Sequence, residues 1–261
     1  MVEMMAGKQT NNPLLPQLVV FSGAGLSAES GLATFRGDHG LWEGVSLDKV
    51  CNFATWERNF DAVHEFYNAR RIAVAAAKPN EAHRTIANWQ NRWPGRVRVM
   101  TQNVDRLLEL AGCHPVVHLH GDVHRMHCVE CDHVWEIKEI TYDQSGCPTC
   151  RRKETVKPAV VFFGQAAPEY DVLYAIAARL QAVDTVVVVG TSGAVLPADQ
   201  LFGYSQAYSI LVNLEPGSEM NEAAFTARHF GPATQILPTL TEMIETRMGK
   251  PMDKNKVASR K

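Results

Sequence analysis

The chain has 261 residues, of which 46% are hydrophobic and 21% are charged, and its formal net charge is -2. This length is sufficient for one large domain, or for a large domain with a smaller one. The near-neutral charge argues against a general nucleic-acid or membrane-surface binder, because both partners favour basic proteins. No apolar run approaches the roughly 18 residues of a membrane-spanning helix. We therefore expect neither a nucleic acid nor a membrane among the partners.

The composition of the two ends predicts flexible termini at residues 1–13 and 248–261. Residues 1–17 are rich in Asn, Gln and Pro and have no apolar stretch before Leu14, which is unlike a secretory or transit peptide. Residues 250–261 are polar and basic, which is typical of a frayed end. We expect a cytoplasmic location, where closely spaced cysteines bind metal rather than form disulfides.

Short apolar runs alternate with helical patterns along the chain, and this alternation predicts a doubly wound, Rossmann-like parallel sheet in an α/β fold. The runs are rich in β-branched residues and end at Gly, Pro or polar positions, which is typical of buried strands. Strands are predicted at residues 18–21, 97–100, 116–119, 156–163, 185–189, 209–212 and 235–237. Helices are predicted at residues 60–77, 80–90, 171–181 and 219–230.

Two segments interrupt the alternation and predict a small lobe beside the sheet. Residues 38–77 are largely helical, and residues 125–154 are polar and rich in cysteine. We expect the helical module and a zinc ribbon to form this lobe together. The large, Rossmann-like domain would then comprise residues 14–37, 78–124 and 155–247.

Small or polar residues follow five of the predicted strands. In an open α/β sheet, ligands bind outside the carboxyl ends of the strands. One such ending would be an ordinary turn, but five together predict a binding site. The segments are residues 22–25, 101–105, 120–121, 190–192 and 213–215.

The cysteines of residues 125–154 predict a structural zinc site. They form two Cys-x-x-Cys pairs separated by 15 residues, a spacing found in zinc ribbons. Because four thiolates would complete a tetrahedron, no coordination position is left for a substrate. The ligands would be Cys128, Cys131, Cys147 and Cys150.

A glycine-rich turn after the first strand matches the relaxed Gly-x-Gly-x-x-Ala pattern of a phosphate-binding loop. It begins at Gly23 and ends at Ala28, and its glycines would let the backbone approach a pyrophosphate. An ordinary turn remains the alternative for this motif alone. A dehydrogenase would need a second strand and a ribose-binding acid about 20 residues further on. The sequence has helical patterns there, which favours a dinucleotide site with an inserted lobe.

Taken together, these motifs resemble the sirtuin family. Residues 23–36 read Gly-Ala-Gly-Leu-Ser-Ala-Glu-Ser-Gly-Leu-Ala-Thr-Phe-Arg, like the family signature, and residues 101–105 read Thr-Gln-Asn-Val-Asp. His120-Gly121, the paired cysteine motifs, Gly190-Thr-Ser192 and Asn213-Leu-Glu215 follow in the family's order. The resemblance covers nearly the whole chain and implies a Rossmann-like domain with a zinc-bearing lobe.

The resemblance also implies an activity, the NAD-dependent removal of acyl groups from protein lysines. NAD would be a consumed co-substrate, and the products would be lysine, nicotinamide and O-acyl-ADP-ribose. Asn103 and Asp105 match positions that hold the carboxamide of nicotinamide and a nearby water, and His120 matches the general base. The implied NAD-binding residues are Gly23, Ala24, Gly25, Ser27, Ala28, Glu29, Thr34, Phe35, Arg36, Gln102, Asn103, Val104, Asp105, Gly190, Thr191, Ser192, Asn213, Leu214, Glu215 and Ala233.

The predicted helix of the inserted module carries a pair that bears on the acyl group. Tyr67 and Arg70 lie three positions apart and so share one helix face. They resemble the Tyr-x-x-Arg pair of the sirtuin branch that removes succinyl and malonyl groups, with Cys51 where that branch places a small alanine. An arginine grips a carboxylate through two charge-assisted hydrogen bonds. We expect acidic acyl groups to be preferred, with some deacetylation.

Other functions use the same residues. ADP-ribosyl transfer or NAD hydrolysis would share every NAD-binding position, and a non-catalytic NAD sensor would bind without turnover. A dehydrogenase would instead accumulate reduced nicotinamide. The expected partners are acyl-lysine proteins or peptides, and we expect a monomer.

Overall fold

The computed structural model describes residues 15–34, 41–42 and 45–249. Its strands, in chain order, are β1 (Leu18–Ser22), β2 (Leu41–Trp42), β3 (Val45–Ser46), β4 (Val97–Thr101), β5 (Val116–His118), β6 (Gly121–Cys128), β7 (Val134–Glu136), β8 (Val156–Val160), β9 (Thr185–Val189), β10 (Tyr208–Asn213) and β11 (Ala227–Phe230). Its α-helices are α1 (Gly25–Ala28), α2 (Leu47–Val50), α3 (Phe60–Ala76), α4 (Glu81–Arg92), α5 (Leu107–Leu110), α6 (Tyr170–Ala177), α7 (Ala233–Thr239) and α8 (Thr241–Met248).

The large domain is built on a six-stranded parallel sheet in the order β11-β10-β9-β1-β4-β5. Every residue of β1 and of β9 is buried, as expected for central strands covered by helices on both faces. The Val-rich sequence of β9 suits this position because β-branched side chains pack well on a pleated, buried surface. The predicted α/β fold with a Rossmann-like sheet is confirmed.

The core lies in two layers, one on each face of the sheet. One layer packs α4, α7 and α8 against the sheet and contains Trp89 and Trp93. The other packs α6 and the segment around Phe202 against the opposite face. Alternate residues of β1 enter the two layers, because successive side chains of a strand point to opposite faces.

The small lobe contains a separate antiparallel sheet in the order β7-β6-β8. Helix α3 packs against β6 and β8, and Val63 and Tyr67 on α3 are buried in a shared apolar cluster with Phe162. The predicted lobe of helical module and ribbon is therefore present. Its sheet extends from Gly121 to Val160, beyond the expected ribbon segment of residues 125–154 on both sides.

Three element predictions were wrong. Residues 235–237 lie inside helix α7 instead of forming a strand, since a short apolar run does not distinguish a buried helix from a strand. Residues 219–230 form no α-helix: a 3-10 turn at Glu222–Ala224 precedes the edge strand β11, whose pairing with β10 the local pattern did not reveal. Residues 156–160 form a strand, but it pairs antiparallel with β6 and not with the parallel sheet.

None of the helices in the described segments is long and apolar enough to cross a membrane. The predicted flexible ends, residues 1–13 and 248–261, fall largely outside the described residues.

Candidate functional site

A cavity of about 1170 Å³ opens where the strands of the large sheet end, next to the small lobe. The loops that follow β1, β4, β9 and β10 all reach it, as does His120 just beyond β5. The parallel arrangement explains this convergence, because the carboxyl ends of parallel strands meet at one edge.

The cavity wall brings together the implied NAD-binding residues of the described segments. Phe35 and Arg36 belong to the same set but lie outside the described residues. Those that line the cavity are Gly23, Ala24, Gly25, Ser27, Ala28, Glu29, Thr34, Gln102, Asn103, Val104, Asp105, Gly190, Thr191, Ser192, Asn213, Leu214, Glu215 and Ala233.

The glycine-rich loop after β1 packs directly against the end of β9. The amide of Gly25 donates to the carbonyl of Gly190 at 2.8 Å. A Cβ atom on Gly25 would lie 2.7 Å from the Cα atom of Gly190, and one on Gly190 would lie 2.4 Å from the amide nitrogen of Leu26. Gly190 also has a φ of +66°, which side chains disfavour. The two backbones approach so closely that neither glycine can be replaced without displacement, which leaves bare backbone facing the cavity.

A chain of hydrogen bonds fixes the polar residues that follow β4. The side-chain amide of Asn103 donates to the hydroxyl of Ser27 at 3.0 Å, and this hydroxyl donates to the carboxylate of Asp105 at 3.0 Å. Burial raises the pKa of Asp105, although the backbone amide of Leu107 and the Ser27 hydroxyl oppose that effect. The Asn103 side chain is thereby held at the cavity wall.

His83 contacts Ser27, the middle residue of this hydrogen-bond chain. Its ring is fully buried on α4, with Nε2 3.4 Å from the Ser27 hydroxyl oxygen. Its Nδ1 lies 2.8 Å from the side-chain oxygen of Asn80 and 3.3 Å from the backbone amide of Asn80 in a capping box, and these contacts fix the ring next to Ser27. Burial lowers the pKa of His83 to about 4, so the ring is neutral at pH 7.

His120 lines the cavity wall. Its Nε2 lies 2.9 Å from the hydroxyl oxygen of Tyr170, the first residue of α6, which also lines the cavity. Burial lowers the pKa of His120 to about 4, against a smaller opposing effect from a hydrogen bond with the backbone of Gln102. The imidazole is therefore neutral at pH 7 and able to accept a proton.

Two further side-chain bonds connect the ends of β4, β9 and β10. The Gln102 amide donates to the Thr191 hydroxyl at 3.0 Å, and the Asn213 amide donates to the Thr191 carbonyl at 3.0 Å. Glu29 accepts from the backbone amide of Thr234 at 3.1 Å and from its hydroxyl. These bonds form a polar frame at the rim of the cavity.

The predicted acyl-contacting residues are divided between the cavity and the interior. Cys51 and the half-buried Arg70 line the cavity. Tyr67 is fully buried and is not among the described lining residues; its hydroxyl donates to the sulfur of Cys51 at 3.5 Å. The Tyr67 ring stacks on Phe162, with ring centroids 5.8 Å apart, and Phe162 does line the cavity. Arg70 and Tyr67 therefore differ in access to a ligand.

The four predicted zinc ligands lie together in the small lobe. The sulfur atoms of Cys128, Cys131, Cys147 and Cys150 all lie within 4.8 Å of one another, and two of the pairs are 3.5 and 3.6 Å apart. Tetrahedral thiolate ligands on Zn²⁺, at a Zn–S distance of about 2.3 Å, would be about 3.8 Å apart. The residues thus fit a structural zinc ion, with all four positions filled by protein.

Several lining residues were missed by the sequence predictions. Tyr170 carried no motif, and only its packing beside β5 brings it to His120. Gly231 and Pro232 follow β11, which was mistaken for helix, so a correct strand prediction would have indicated them. Residues 216–219 continue the predicted segment of 213–215 and could have been included with it.

Comparisons with known proteins agree on one family. The model described as "Sir2 family" matches residues 23–197. An NAD-dependent protein deacylase of Helicobacter hepaticus is 37% identical over 251 residues, which cover 88% of this chain and 98% of the relative. One of Caulobacter vibrioides is 37% identical over 238 residues, covering 89% and 98%. A solved Sir2 homologue in complex with NAD superposes with a TM-score of 0.77 at 28% identity, covering 90% of this chain and 92% of the other.

Proposed function

The chain belongs to the Sir2 family, and from this premise we propose that it is an NAD-dependent protein-lysine deacylase that prefers acyl groups ending in a carboxylate. The observation that carries the activity is the meeting of three features in one cavity. These are the exposed backbone of the glycine-rich loop, the Asn103–Ser27–Asp105 chain and the neutral imidazole of His120.

The phosphate-binding part of the cavity suits the pyrophosphate of NAD. The close packing of Gly25 on Gly190 leaves backbone, not side chains, at the surface of the loop. The turn leads into the short helix α1, and the beginning of a helix favours an anion. The polar frame around Thr191 and Asn213 offers hydrogen bonds for the rest of the nucleotide.

Asn103 and Asp105 are suited to the nicotinamide end. Because Ser27 occupies one amide proton of Asn103, the carbonyl oxygen and the second proton of that side chain remain for a bound carboxamide or water. The amide oxygen of an acyl-lysine is a weak nucleophile, so catalysis has to come from holding it close to the ribose and from stabilising the charge that develops there.

His120 is suited to accept a proton from a ribose hydroxyl. The ring is neutral at pH 7, and its Nε2 faces the cavity beside the Tyr170 hydroxyl. The acyl oxygen would first displace nicotinamide at the ribose carbon. The deprotonated ribose hydroxyl would then attack the carbon of the resulting imidate, and addition of water would release lysine as its amine and leave the acyl group on ADP-ribose. An imidazole in such a position contributes typically 100- to 10,000-fold in rate, an order-of-magnitude range.

The acidic-acyl preference is supported by Arg70. Arg70 lines the cavity and is half-buried, and this burial lowers the pKa of its guanidinium. A carboxylate that binds there would therefore meet a poorly hydrated cation, which strengthens a bidentate ion pair. Tyr67 would act on the acyl group through the thiol of Cys51, to which its hydroxyl donates.

One set of assays tests both parts of the proposal. Acetyl-, malonyl- and succinyl-lysine peptides are incubated with NAD, and the products are identified by mass spectrometry. O-acyl-ADP-ribose supports deacylation, whereas free ADP-ribose or labelled protein as the main product would indicate NAD hydrolysis or ADP-ribosyl transfer. His120→Asn should lose at least about 100-fold in kcat with unchanged zinc content.

Arg70→Met tests the acyl preference. We expect kcat/KM to fall roughly 10- to 100-fold on the malonyl and succinyl peptides, the range for a charge-assisted hydrogen-bonded contact, and to change little on the acetyl peptide. Arg58→Met is the matched control, because Arg58 is an exposed cation of the same lobe that does not line the cavity. Equal losses on all three peptides would rule out carboxylate recognition by Arg70.

A further inference from the structure

His118, the last residue of β5, is not part of the lining of the NAD cavity and makes two short side-chain contacts. Its Nδ1 lies 2.9 Å from the carbonyl oxygen of Asn103, and its Nε2 lies 2.6 Å from a carboxylate oxygen of Glu109 on α5. A carbonyl and a carboxylate can both only accept hydrogen bonds. The two contacts therefore require a proton on each ring nitrogen, which is the imidazolium form.

The buried carboxylate of Glu109 also needs a protonated His118 as its partner. Its second carboxylate oxygen is buried and has no hydrogen-bond partner among the described residues. The neighbouring cation Arg106 is already engaged, with contacts of 2.7 Å to Asp122 and 2.6 Å to Glu136. Among the described residues, the contact with His118 is thus the only ion pair of Glu109.

We propose that protonated His118 is a positioning residue for Asn103, held in its charged form by Glu109. If His118 loses its proton, Nε2 presents a lone pair to the carboxylate at 2.6 Å, so the contact becomes repulsive and the ring has to move. Movement of the ring releases the carbonyl of Asn103, whose side chain reaches into the NAD cavity. This inference rests on the proposed role of Asn103 in deacylation.

The charges around His118 favour its protonated form. Burial by itself lowers the pKa of His118, but the Glu109 hydrogen bond and charge, with the Asn103 carbonyl and Asp122, leave that pKa above its ordinary value. The other titratable or charged groups facing the same small cavity, or interacting electrostatically with the ring, are Asp105, Arg106, His114, Arg125 and Glu136.

The direction of the pH effect follows from this shift. A histidine whose pKa is raised by folding stabilises its surroundings fully below its unfolded pKa, about 6.5, and loses that stabilisation as the pH rises through the folded value. Deacylase activity should therefore decline on the alkaline side. A decline of about 2- to 10-fold corresponds to the loss of one hydrogen bond. At acidic pH, the deacylase activity would depend separately on the protonation of His120.

Glu109→Gln tests the proposal with little change of shape. Gln keeps a partner for the ring but removes the charge, so a neutral His118 can donate from Nδ1 to Asn103 and accept at Nε2 from the new amide. We expect the alkaline decline in kcat to disappear, and the pKa of the His118 ring, followed by NMR in the zinc-loaded protein, to fall by about 1 unit or more. Glu136→Gln, which neutralises another carboxylate of the same cavity, should keep both properties of the wild type.

The two proposals fail in different ways. If Glu109→Gln shows the wild-type pH profile and the wild-type His118 titration, the positioning role is overturned while deacylation stands. If the wild type produces no O-acyl-ADP-ribose at any pH, the proposed function is overturned, and the NMR titration still decides whether Glu109 holds the proton on His118.

Discussion

Nε2 of His120 lies 2.9 Å from the hydroxyl oxygen of Tyr170, which joins the end of β5 to the first residue of α6 across the cavity. The two residues are 50 positions apart in the chain. Because His120 is neutral, one of the two groups donates to the other, and the contact fixes the orientation of the imidazole. The proposed base is thus positioned by a residue that no motif marks.

Tyr170→Phe removes the hydroxyl while it keeps the ring that packs edge-on against Tyr174. We expect kcat to fall roughly 2- to 10-fold, the range for one hydrogen bond, because the imidazole loses its orientation. Steady-state kinetics at saturating NAD and peptide measure this change. Tyr174→Phe is the control, since Tyr174 does not line the cavity. Equal kinetics in Tyr170→Phe and the wild type would refute the positioning role.

Gly190→Ala tests the close packing between Gly190 and the glycine-rich loop after β1. Both Gly190 and Gly95 have positive φ, but a Cβ atom on Gly95 would meet nothing within 4 Å. Gly95→Ala should therefore cost only the backbone strain of about 1 kcal/mol. Gly190→Ala adds a clash with the backbone of residues 25–26, so we expect a larger loss of stability and a raised KM for NAD. Urea unfolding measures the stability of each variant, and steady-state kinetics with varied NAD measure its KM. Equal stability and equal KM of Gly190→Ala and Gly95→Ala would show that the close backbone contact of Gly190 is not needed.

Cys131→Ser should abolish zinc binding. One of four thiolate ligands is removed, and the small lobe depends on the metal because its sheet has only three strands. We expect the zinc content to fall from one ion per chain to near zero, measured by atomic emission, with faster proteolysis within residues 125–154. Cys113→Ala should keep its zinc, since Cys113 lies in the core of the large domain. Full zinc content in Cys131→Ser would contradict the assignment.

His64→Gln tests how buried histidines affect stability at acidic pH. Burial lowers the pKa of His64 to about 4, so the unfolded chain binds a proton there near pH 6.5 while the folded protein does not. The difference lowers the free energy of unfolding; this loss of stability is absent above pH 6.5 and grows as the pH falls towards 4. Gln retains a donor for the Val156 carbonyl, which His64 contacts at 3.0 Å.

We expect the free energy of unfolding of His64→Gln to fall less steeply between pH 6.5 and 4 than that of the wild type. The difference should be at most about 1.4 kcal/mol per pH unit, the value for one proton. Urea unfolding at a series of pH values measures it. Burial also lowers the pKa of His83 and of His120, so the free energy of unfolding of the variant should still depend on pH to some extent. If the free energy of unfolding changed with pH equally in the variant and the wild type, burial of neutral His64 would not lower stability at acidic pH.

Much of this molecule was predictable from local sequence. The central strands β1 and β9 are continuous apolar runs, and the two cysteine pairs have the spacing of a ribbon, so periodicity and metal geometry identify both. The residues after β1, β4, β9 and β10 were expected at one sheet edge, and they line one cavity. Local rules suffice here because parallel topology itself determines where strand ends meet.

The sequence by itself indicated the central strands, the cysteine cluster and the loops at the strand ends, because apolar runs, the Cys-x-x-Cys spacing and the residues after each strand are local patterns. Only the tertiary structure decided that residues 227–230 form an edge strand, that Tyr170 reaches His120, and that Tyr67 lies behind Cys51 rather than at the cavity wall. The same holds for the contact between His118 and Glu109. Burial and the charges that surround a group set its pKa, and both arise only when distant segments pack together.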